Sequence, residues 1–473
     1  MTYSVLVAIY VYMLVRNVIC SLLAAKWLSY EKPVSVQRLD VPMYLLIPMM
    51  DEQVIARDTY LHFRSLVTHR SGCEVLFITT ARERQREDIP HTNEVLRQAQ
   101  TAFPSPGIHI LHYEDASGVM AHQLNFAVEQ LRAKHKDGDF WIGIYNADSR
   151  IDERVLDYVE HQAAQKGREC CFQQYSYFPL PIGASSRSNI SSAAQWQNRW
   201  SVLFELTRVR YQVAFVRLWS SLPRSLGPIK SMLEIIAEKM NYVIGHGFYA
   251  HNEVLGRMGG FPEENINEDA CLGYRLNVHR IPIYPVPILE QAEFTNRISV
   301  YIRQQSVWFN GPFHAFKYFT QLLHQGERTA WETLRAAILA TKLFLLAIYW
   351  LFSPSVLLLV LPIWTTLLFG WWGFAASILF ILAYLPGVHY LIARLIRQHT
   401  RQLTSDQVVL PRSSLYCVSA YLIHCWGPCL NMAQQLRGRN NKTEKYKTQR
   451  NEIQHADTQL SDGGRTIQER ELI

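Results

Sequence analysis

Residues Phe140–Asp152 read FWIGIYNADSRID: six largely apolar residues, then Asn146, Asp148 and Asp152 within seven positions. An apolar run this short, bounded by polar turn residues, reads as a buried strand, and a strand apolar on both sides needs a sheet covered on both faces. The same alternation repeats upstream. MYLLIPM is followed by a helical pattern through Leu61 and Leu66, EVLFITT by one around Val95, and IHILHY by one from Ala121 to Lys134. Strand–helix alternation predicts an α/β domain with a mostly parallel central sheet.

Ligands of such sheets bind past the carboxyl ends of the strands. Here those positions hold Asp51 and Glu52, Thr79–Glu83, Tyr113–Asp115 and Asn146–Asp152, three of the four groups acidic. A nearby D-x-D-like pair suits a hard cation bridging two phosphates, although acids at a strand end also serve as loop caps. Asp152 is expected to start the helix that follows.

A second acidic site lies in NEDACLGYRL, where Asn267 is expected to cap a helix whose first turn holds Glu268 and Asp269. The helix dipole alone favours acids there. The chemical alternative is a general base, with the Gly-rich bends GHG and GGFP upstream letting backbone approach a ligand.

At 473 residues the chain exceeds one core, which stops growing near ~250–300 residues. From Ala336 to Ala393 it is almost continuously apolar with Lys342 as its one charge, and Tyr3–Ala25 is a second apolar run containing Arg16. Neither pattern suits a soluble surface helix. The expected domains are an N-terminal transmembrane anchor (1–28), a cytosolic domain (41–325) with an interfacial aromatic and basic segment near 300–325, a C-terminal transmembrane region (336–432) and a polar, partly disordered tail (437–473). The first apolar run lacks a basic leader, so it is read as an uncleaved anchor rather than a signal peptide. Lys26, Lys32 and Arg38 then place the downstream side in the cytosol. Two arrangements of the C-terminal block stand open: two long helices with a re-entrant Ser413–Met432, or three short helices and a further span. Eight cysteines without zinc spacing suit a reducing compartment, and a net charge of +7 concentrated near membrane edges favours lipid headgroups over nucleic acid.

Taken in order, LIPMMDEQ, EVLFITTARER, HYEDASGVMAHQLNFAV, YNADSRID, GHGFYAHNEVLGRMGGFPEENINEDACLGYRL and QQSVW resemble the family-two, inverting glycosyltransferases of the GT-A fold, in their membrane-anchored polysaccharide-synthase branch. The resemblance implies a hexosyltransferase-type enzyme of a bacterial inner membrane, multi-pass and with its catalytic domain in the cytosol. It implies transfer of a sugar from a nucleotide-diphosphate donor to a lipid-linked or growing glycan acceptor, with Mg²⁺ or Mn²⁺ as cofactor, in exopolysaccharide or cell-surface glycan synthesis. Residue by residue, it places Glu52, Glu83, Asn146 and Asp148 at the donor, with Asp148 on the metal. Asp269 is the base beside Glu268, and Gln304, Gln305 and Trp308 line the acceptor end. Membrane lipids and export or assembly subunits are the implied partners.

Four elements depart from that family's pattern. Asn146 removes one charge from the D-x-D element, and Met120 stands where many relatives carry Lys. Thr79 and Thr80 occupy the usual place of a base-recognising aspartate, leaving the nucleotide open, and Val307 replaces the Arg of Q-x-x-R-W, against processive synthesis. A processive synthase and a non-catalytic subunit of an assembly complex are the alternatives these departures raise.

Overall fold

The structure is a computed structural model and describes residues 2–28, 39–68, 70–83, 90–179, 188–206, 218–223, 227–238, 240, 243–326, 328–403 and 417–437. Lys32, Arg38 and the C-terminal tail lie outside the described residues. The strands are β1 (Met43–Pro48), β2 (Cys73–Thr80), β3 (Ile108–Tyr113), β4 (Trp141–Ile144), β5 (Cys171–Gln173), β6 (Ser176–Tyr177), β7 (Phe248–His251), β8 (Ile283–Pro285) and β9 (Glu290–Gln291). Seven form one sheet, ordered β3-β2-β1-β4-β7-β5-β8, and β6 pairs with β9 in a second. The β1, β2, β3 and β4 strands run parallel, and β7 alone is antiparallel, to both β4 and β5.

Alternate residues of β1 feed two different cores. Met43, Leu45 and Ile47 pack with Tyr60, Phe63, Leu96 and Val155 on one face. Tyr44 and Leu46 pack with Leu124, Val128, Leu255 and Leu276 on the other. Helices on both faces are therefore the reason the strands are apolar throughout. The strand order turns back between β1 and β4, where Leu46 registers with Ile144, so the loops after these two strands border the crevice at the switch point.

The helices are α1 (Thr2–Leu28), α2 (Gln53–Val67), α3 (Thr92–Ala102), α4 (Met120–Lys134), α5 (Arg154–Lys166), α6 (Asn189–Arg199), α7 (Gly227–Ala237), α8 (Asn252–Met258) and α9 (Glu268–Val278). They continue with α10 (Ile298–Phe313), α11 (Ala315–Leu323), α12 (Ala330–Ser355), α13 (Leu361–Leu382), α14 (Val388–Leu403) and α15 (Cys417–Leu436). After Arg199 the chain of α6 widens into a π-helix over Trp200–Leu206; 207–217 lie outside the described residues.

Two described segments are long and apolar enough to cross a membrane, Val11–Leu28 and the 71-residue Ala330–Thr400. At about 1.5 Å per residue the second would reach ~100 Å if straight, over three bilayer cores. It is not straight. Gly370, at φ 61° and ψ −144°, leaves the helical region entirely, a conformation only glycine adopts at little cost. Thr365 and Ser377 hydroxyls hydrogen-bond across that bend. The block is thus two long legs joined at Gly370, with π-turns at Val356–Val360 and Ala383–Gly387 beside Pro354 and Pro386. The two legs match the two-helix half of the first sequence arrangement, while Cys417–Leu436, expected there to re-enter, is one continuous helix. Lys342, the lone charge between Ala336 and Ala393, donates to the Ile235 and Glu238 carbonyls at the C-terminal end of α7, where a cation suits the helix dipole.

Arg70, just past α2, binds Asp157 at 2.5 Å and Glu160 at 2.8 Å on α5, all three side chains nearly buried. Arg70→Ala strands two buried carboxylates without their cation. A loss of roughly 3–5 kcal/mol is expected, read as a lowered thermal midpoint in detergent; an unchanged midpoint would show that the triad contributes nothing to stability.

Candidate active site

After β4 the chain turns over Asn146–Ser149. The Ser149 N–H donates to the Asn146 carbonyl at 3.1 Å, and the Asn146 N–H donates to Ser149 Oγ at 3.2 Å. This turn presents Asp148, half-buried, at the mouth of the crevice. The main-chain N–H of Glu293 donates to its carboxylate. Burial holds the Asp148 carboxyl above the usual range; the positive charge of His246 pulls it back and the negative charge of Glu290 pushes it further.

His246 is the middle residue of GHG, and that loop joins the two acidic regions. Gly247, at φ 64°, lies so close to the Gln174 carbonyl that an added Cβ would meet its oxygen at 2.7 Å, and its N–H donates to the Ile144 carbonyl at the end of β4. So pinned, the loop directs His246 Nδ1 to Glu290 Oε1 at 2.8 Å, with Glu290 wholly buried on β9 and also accepting from Ser149 Oγ at 3.1 Å. Burial alone would lower the His246 pKa, but the charges of Glu290, Asp148 and Asp269 outweigh it and the net shift is upward. One residue earlier, the Gly245 N–H donates to Asp269 Oδ2 at 3.0 Å. Asp269 stands in the first turn of α9 and takes the Ala270 N–H on its other oxygen at 2.8 Å, with Glu268 buried beside it. A Cβ on Gly245 would meet Asp269 Oδ2 at 3.4 Å and Met120 Cε at 3.5 Å, so Met120 flanks the same carboxylate.

The structure therefore brings Asp148, Asp269 and Glu268 around one loop, and adds His246, Glu290 and Glu293, which sequence reasoning passed over. A histidine between two glycines was the available signal for the first. Glu290 and Glu293 follow a Pro-rich stretch and carried no signal of their own.

Other expected residues are placed differently. Glu83 Oε1 accepts from the Thr92 N–H, the Thr92 hydroxyl and Gln53 Nε2, at 2.9, 2.7 and 2.6 Å, so it ties α2 to α3. The Glu52 main-chain N–H joins the same knot through Thr92 Oγ1. Gln305 is fully buried, 3.4 Å from Gln197, against Gly427, where an added Cβ would meet the Gln305 Cβ at 2.4 Å. Gln304 and exposed Trp308, four residues apart on α10, share a different face. Asn267 precedes α9 without a side-chain cap, its carbonyl accepting the Cys271 N–H instead. Asp152 accepts the Arg154 N–H at 2.9 Å and pairs with its guanidinium at 2.8 Å, a helix-start role.

Among the described residues no group of three or more His, Cys, Asp and Glu side chains stands ready to hold a metal. Glu290 is committed to His246. What remains, Asp148 with the neutral Asn146, suits a Mg²⁺ or Mn²⁺ that arrives with substrate phosphates rather than one caged by protein, since Mg²⁺ commonly takes only one or two carboxylates. Glu293 supports that fit: although the residue is exposed at the surface, desolvation on its inner side, then the nearby Asp148 charge, push its carboxyl up to about 7, with Arg150 opposing.

Fold and site together define a mixed α/β protein with a mostly parallel sheet and an acidic, strand-end crevice. No protein-family model matches the chain, and no curated protein matches it. Among solved structures it is similar to the mannosyltransferase PcManGT from Pyrobaculum calidifontis in complex with GDP-Man and Mn²⁺, with a TM-score of 0.46 and 12% identity over 91% of this chain and 99% of that one. It is also similar to S. aureus TarS 1–349 in complex with UDP-GlcNAc, with a TM-score of 0.41 and 11% identity over 84% and 92% of the two chains.

A carboxyl with a raised folded-state pKa contributes stability that is present below its unfolded value and lost as pH rises through the folded one. For Glu293 that window runs from 4.5 to about 7. The thermal midpoint is expected to fall as pH rises across it, and Glu293→Gln to flatten the fall. A wild-type profile that rises over this range would contradict the placement of Glu293 beside Asp148.

Proposed function

We propose that the chain is a membrane glycosyltransferase of the GT-A type that transfers a sugar from a nucleotide-diphosphate donor to a lipid-linked or growing glycan acceptor, with inversion. The observation that carries this reading is the GHG loop: one short segment binds Asp269 through Gly245 and, through His246, the Glu290 that backs Asp148. Two carboxylates with separate tasks are held at a strand-end crevice with a cation between them.

In the reaction, an acceptor hydroxyl attacks the anomeric carbon from the face opposite the diphosphate. The carbon–oxygen bond to the diphosphate breaks as the new glycosidic bond forms, and the hydroxyl proton passes to Asp269. The Gly245 and Ala270 N–H groups orient that carboxylate. A divalent ion held by Asp148 and Asn146 supplies, when bound, charge neutralisation of the departing diphosphate. The charges of both Asp148 and Asp269 act on His246 and favour its protonated form, which places a cation between the two carboxylates.

Membrane residence is supported by the two apolar segments and by exposed Trp371 and Trp372, at 71% and 81%, beside the Gly370 bend. Tryptophans in such positions suit a bilayer interface. A bacterial inner membrane with the acidic crevice on the cytosolic side, and cell-surface glycan synthesis, complete the reading. Val307 is buried on α10, which supports single additions over processive extension.

The direct test is a panel of nucleotide sugars with Mn²⁺ and the full chain in detergent. Turnover of one of them is expected, and Asp269→Asn should lower it by about 10²–10⁴-fold while nucleoside diphosphate still shifts the thermal midpoint. No binding and no turnover across the panel would defeat the proposal. At the acceptor end, Trp308→Ala is expected to raise the acceptor KM several-fold through lost stacking and leave the donor KM unchanged. A donor KM that moves equally would remove Trp308 from the acceptor site.

A further inference from the structure

The helical region linked to the crevice hides a cation that has no counter-ion among the described residues. Arg199, the last residue of α6, is 1% exposed. Its Nη1 donates to the Leu385 carbonyl at 3.1 Å, in the π-turn around Pro386, and its guanidinium lies 5.0 Å from the Trp196 ring and 5.1 Å from the Tyr384 ring. Its Nε and Nη2 have no hydrogen-bond partner among the described residues. Tyr384, Cys417 and Tyr349 act on it electrostatically, and the Tyr384 side chain also hydrogen-bonds it; no carboxylate is among them.

The surroundings are unfinished in the same sense. His389 is fully buried, neither ring nitrogen has a partner among the described residues, and the one side-chain charge that acts on it is that of Arg199. Its ring lies 6.0 Å from Trp196. Gln195 donates to the His389 carbonyl at 3.4 Å and leaves its own carbonyl oxygen unpaired. Native structures rarely leave buried polar atoms orphaned, and a buried guanidinium calls for an anion. Two ring faces, one carbonyl and the Tyr384 hydroxyl solvate the charge without neutralising it.

The position indicates what the anion belongs to. Asn198, next to Arg199, accepts the Phe178 N–H at 2.6 Å and donates to the Phe178 carbonyl at 3.0 Å. Phe178 follows β6, whose Ser176 hydroxyl lies 3.4 Å from His246 Nδ1. The cluster is thus linked to the acidic crevice through Asn198, Phe178 and β6, and its Trp196 packs with Leu385, Ala420 and Cys417 of the apolar helices. An anion approaching there comes attached to an apolar chain. A guanidinium fork with a neighbouring imidazole matches a phosphate.

We propose that Arg199, with His389 and Gln195, binds the phosphate of a phosphate-headed lipid, the carrier end of the acceptor. The inference rests on the glycosyltransferase reading for its meaning, but its test requires no turnover, so the two fail separately. The full chain in zwitterionic nanodiscs is titrated with a polyprenyl phosphate, with the corresponding uncharged polyprenol and with inorganic phosphate, following tryptophan fluorescence, to which Trp196 reports, and the thermal midpoint. Saturable binding of the polyprenyl phosphate but not the polyprenol is expected, weakened about tenfold or more by Arg199→Gln. Should Arg199→Gln not fold, Arg199→Lys, which keeps the charge and loses the fork, is expected to weaken binding several-fold in a folded chain. Equal binding of phosphate lipid and polyprenol, no binding of either, or undiminished affinity in the folded variant overturns the proposal. Saturation by inorganic phosphate with the same signal, and no gain from the lipid chain, overturns the lipid source.

Discussion

The ion pair between His246 and Glu290, 2.8 Å long and mostly shut off from water, is the contact on which the crevice depends. It joins the loop leading into β7 to the short β9 strand, and through Ser149 it reaches the turn that presents Asp148. Breaking it leaves a buried carboxylate without a cation, which is costlier than never having built the pair. Its value is positional. Because Gly247 must take a left-handed conformation against Gln174, His246 has little freedom to go elsewhere.

From that contact the division of labour among the acids follows. Asp269 receives two main-chain N–H groups at the start of a helix, which fix the direction of its oxygens. Asp148 and Glu293 lie together where burial and mutual repulsion disfavour full ionisation. The first arrangement suits a carboxylate that takes a proton, and the second suits carboxylates that await a cation. Met120, beside Asp269 where a lysine would add positive charge, leaves His246 and Arg150 as the described cations whose charges act on the Asp148 pocket.

How much of this was legible in the sequence depends on the range of the interaction. The parallel sheet was legible, because burial on two faces writes itself into every residue of MYLLIP and WIGI. Asp148 and Asp269 were legible as acids at a strand end and a helix start, both local patterns. Glu83 looked the same from its own neighbours, yet Thr92, brought back by α3, takes up its oxygen. Gln305 looked available on α10 until α15, far along the chain, buried it at Gly427. His246 and Glu290 went unseen for the mirror-image reason: the pairing that gives each its meaning is made only when the β6–β9 sheet closes.

That closure also ties the crevice to the apolar helices. α15 meets α10 so tightly at Gly427 that no side chain fits between them, and Asn431 one turn on donates to the Ser306 carbonyl at 2.8 Å and to Asn310 at 3.0 Å. Since α10 also carries Gln304 and Trp308, any tilt of α15 must move the proposed acceptor face with it. On the other side, α6 is clamped to Phe178 by Asn198 and to the π-turn of the long hairpin by Arg199. In that π-turn the Leu385 carbonyl accepts the Val388 N–H as well as Arg199. The turn around Pro386 and the close approach at Gly427 therefore fall where the apolar helices grip the α/β half, whereas the bend at Gly370 closes on its own hairpin.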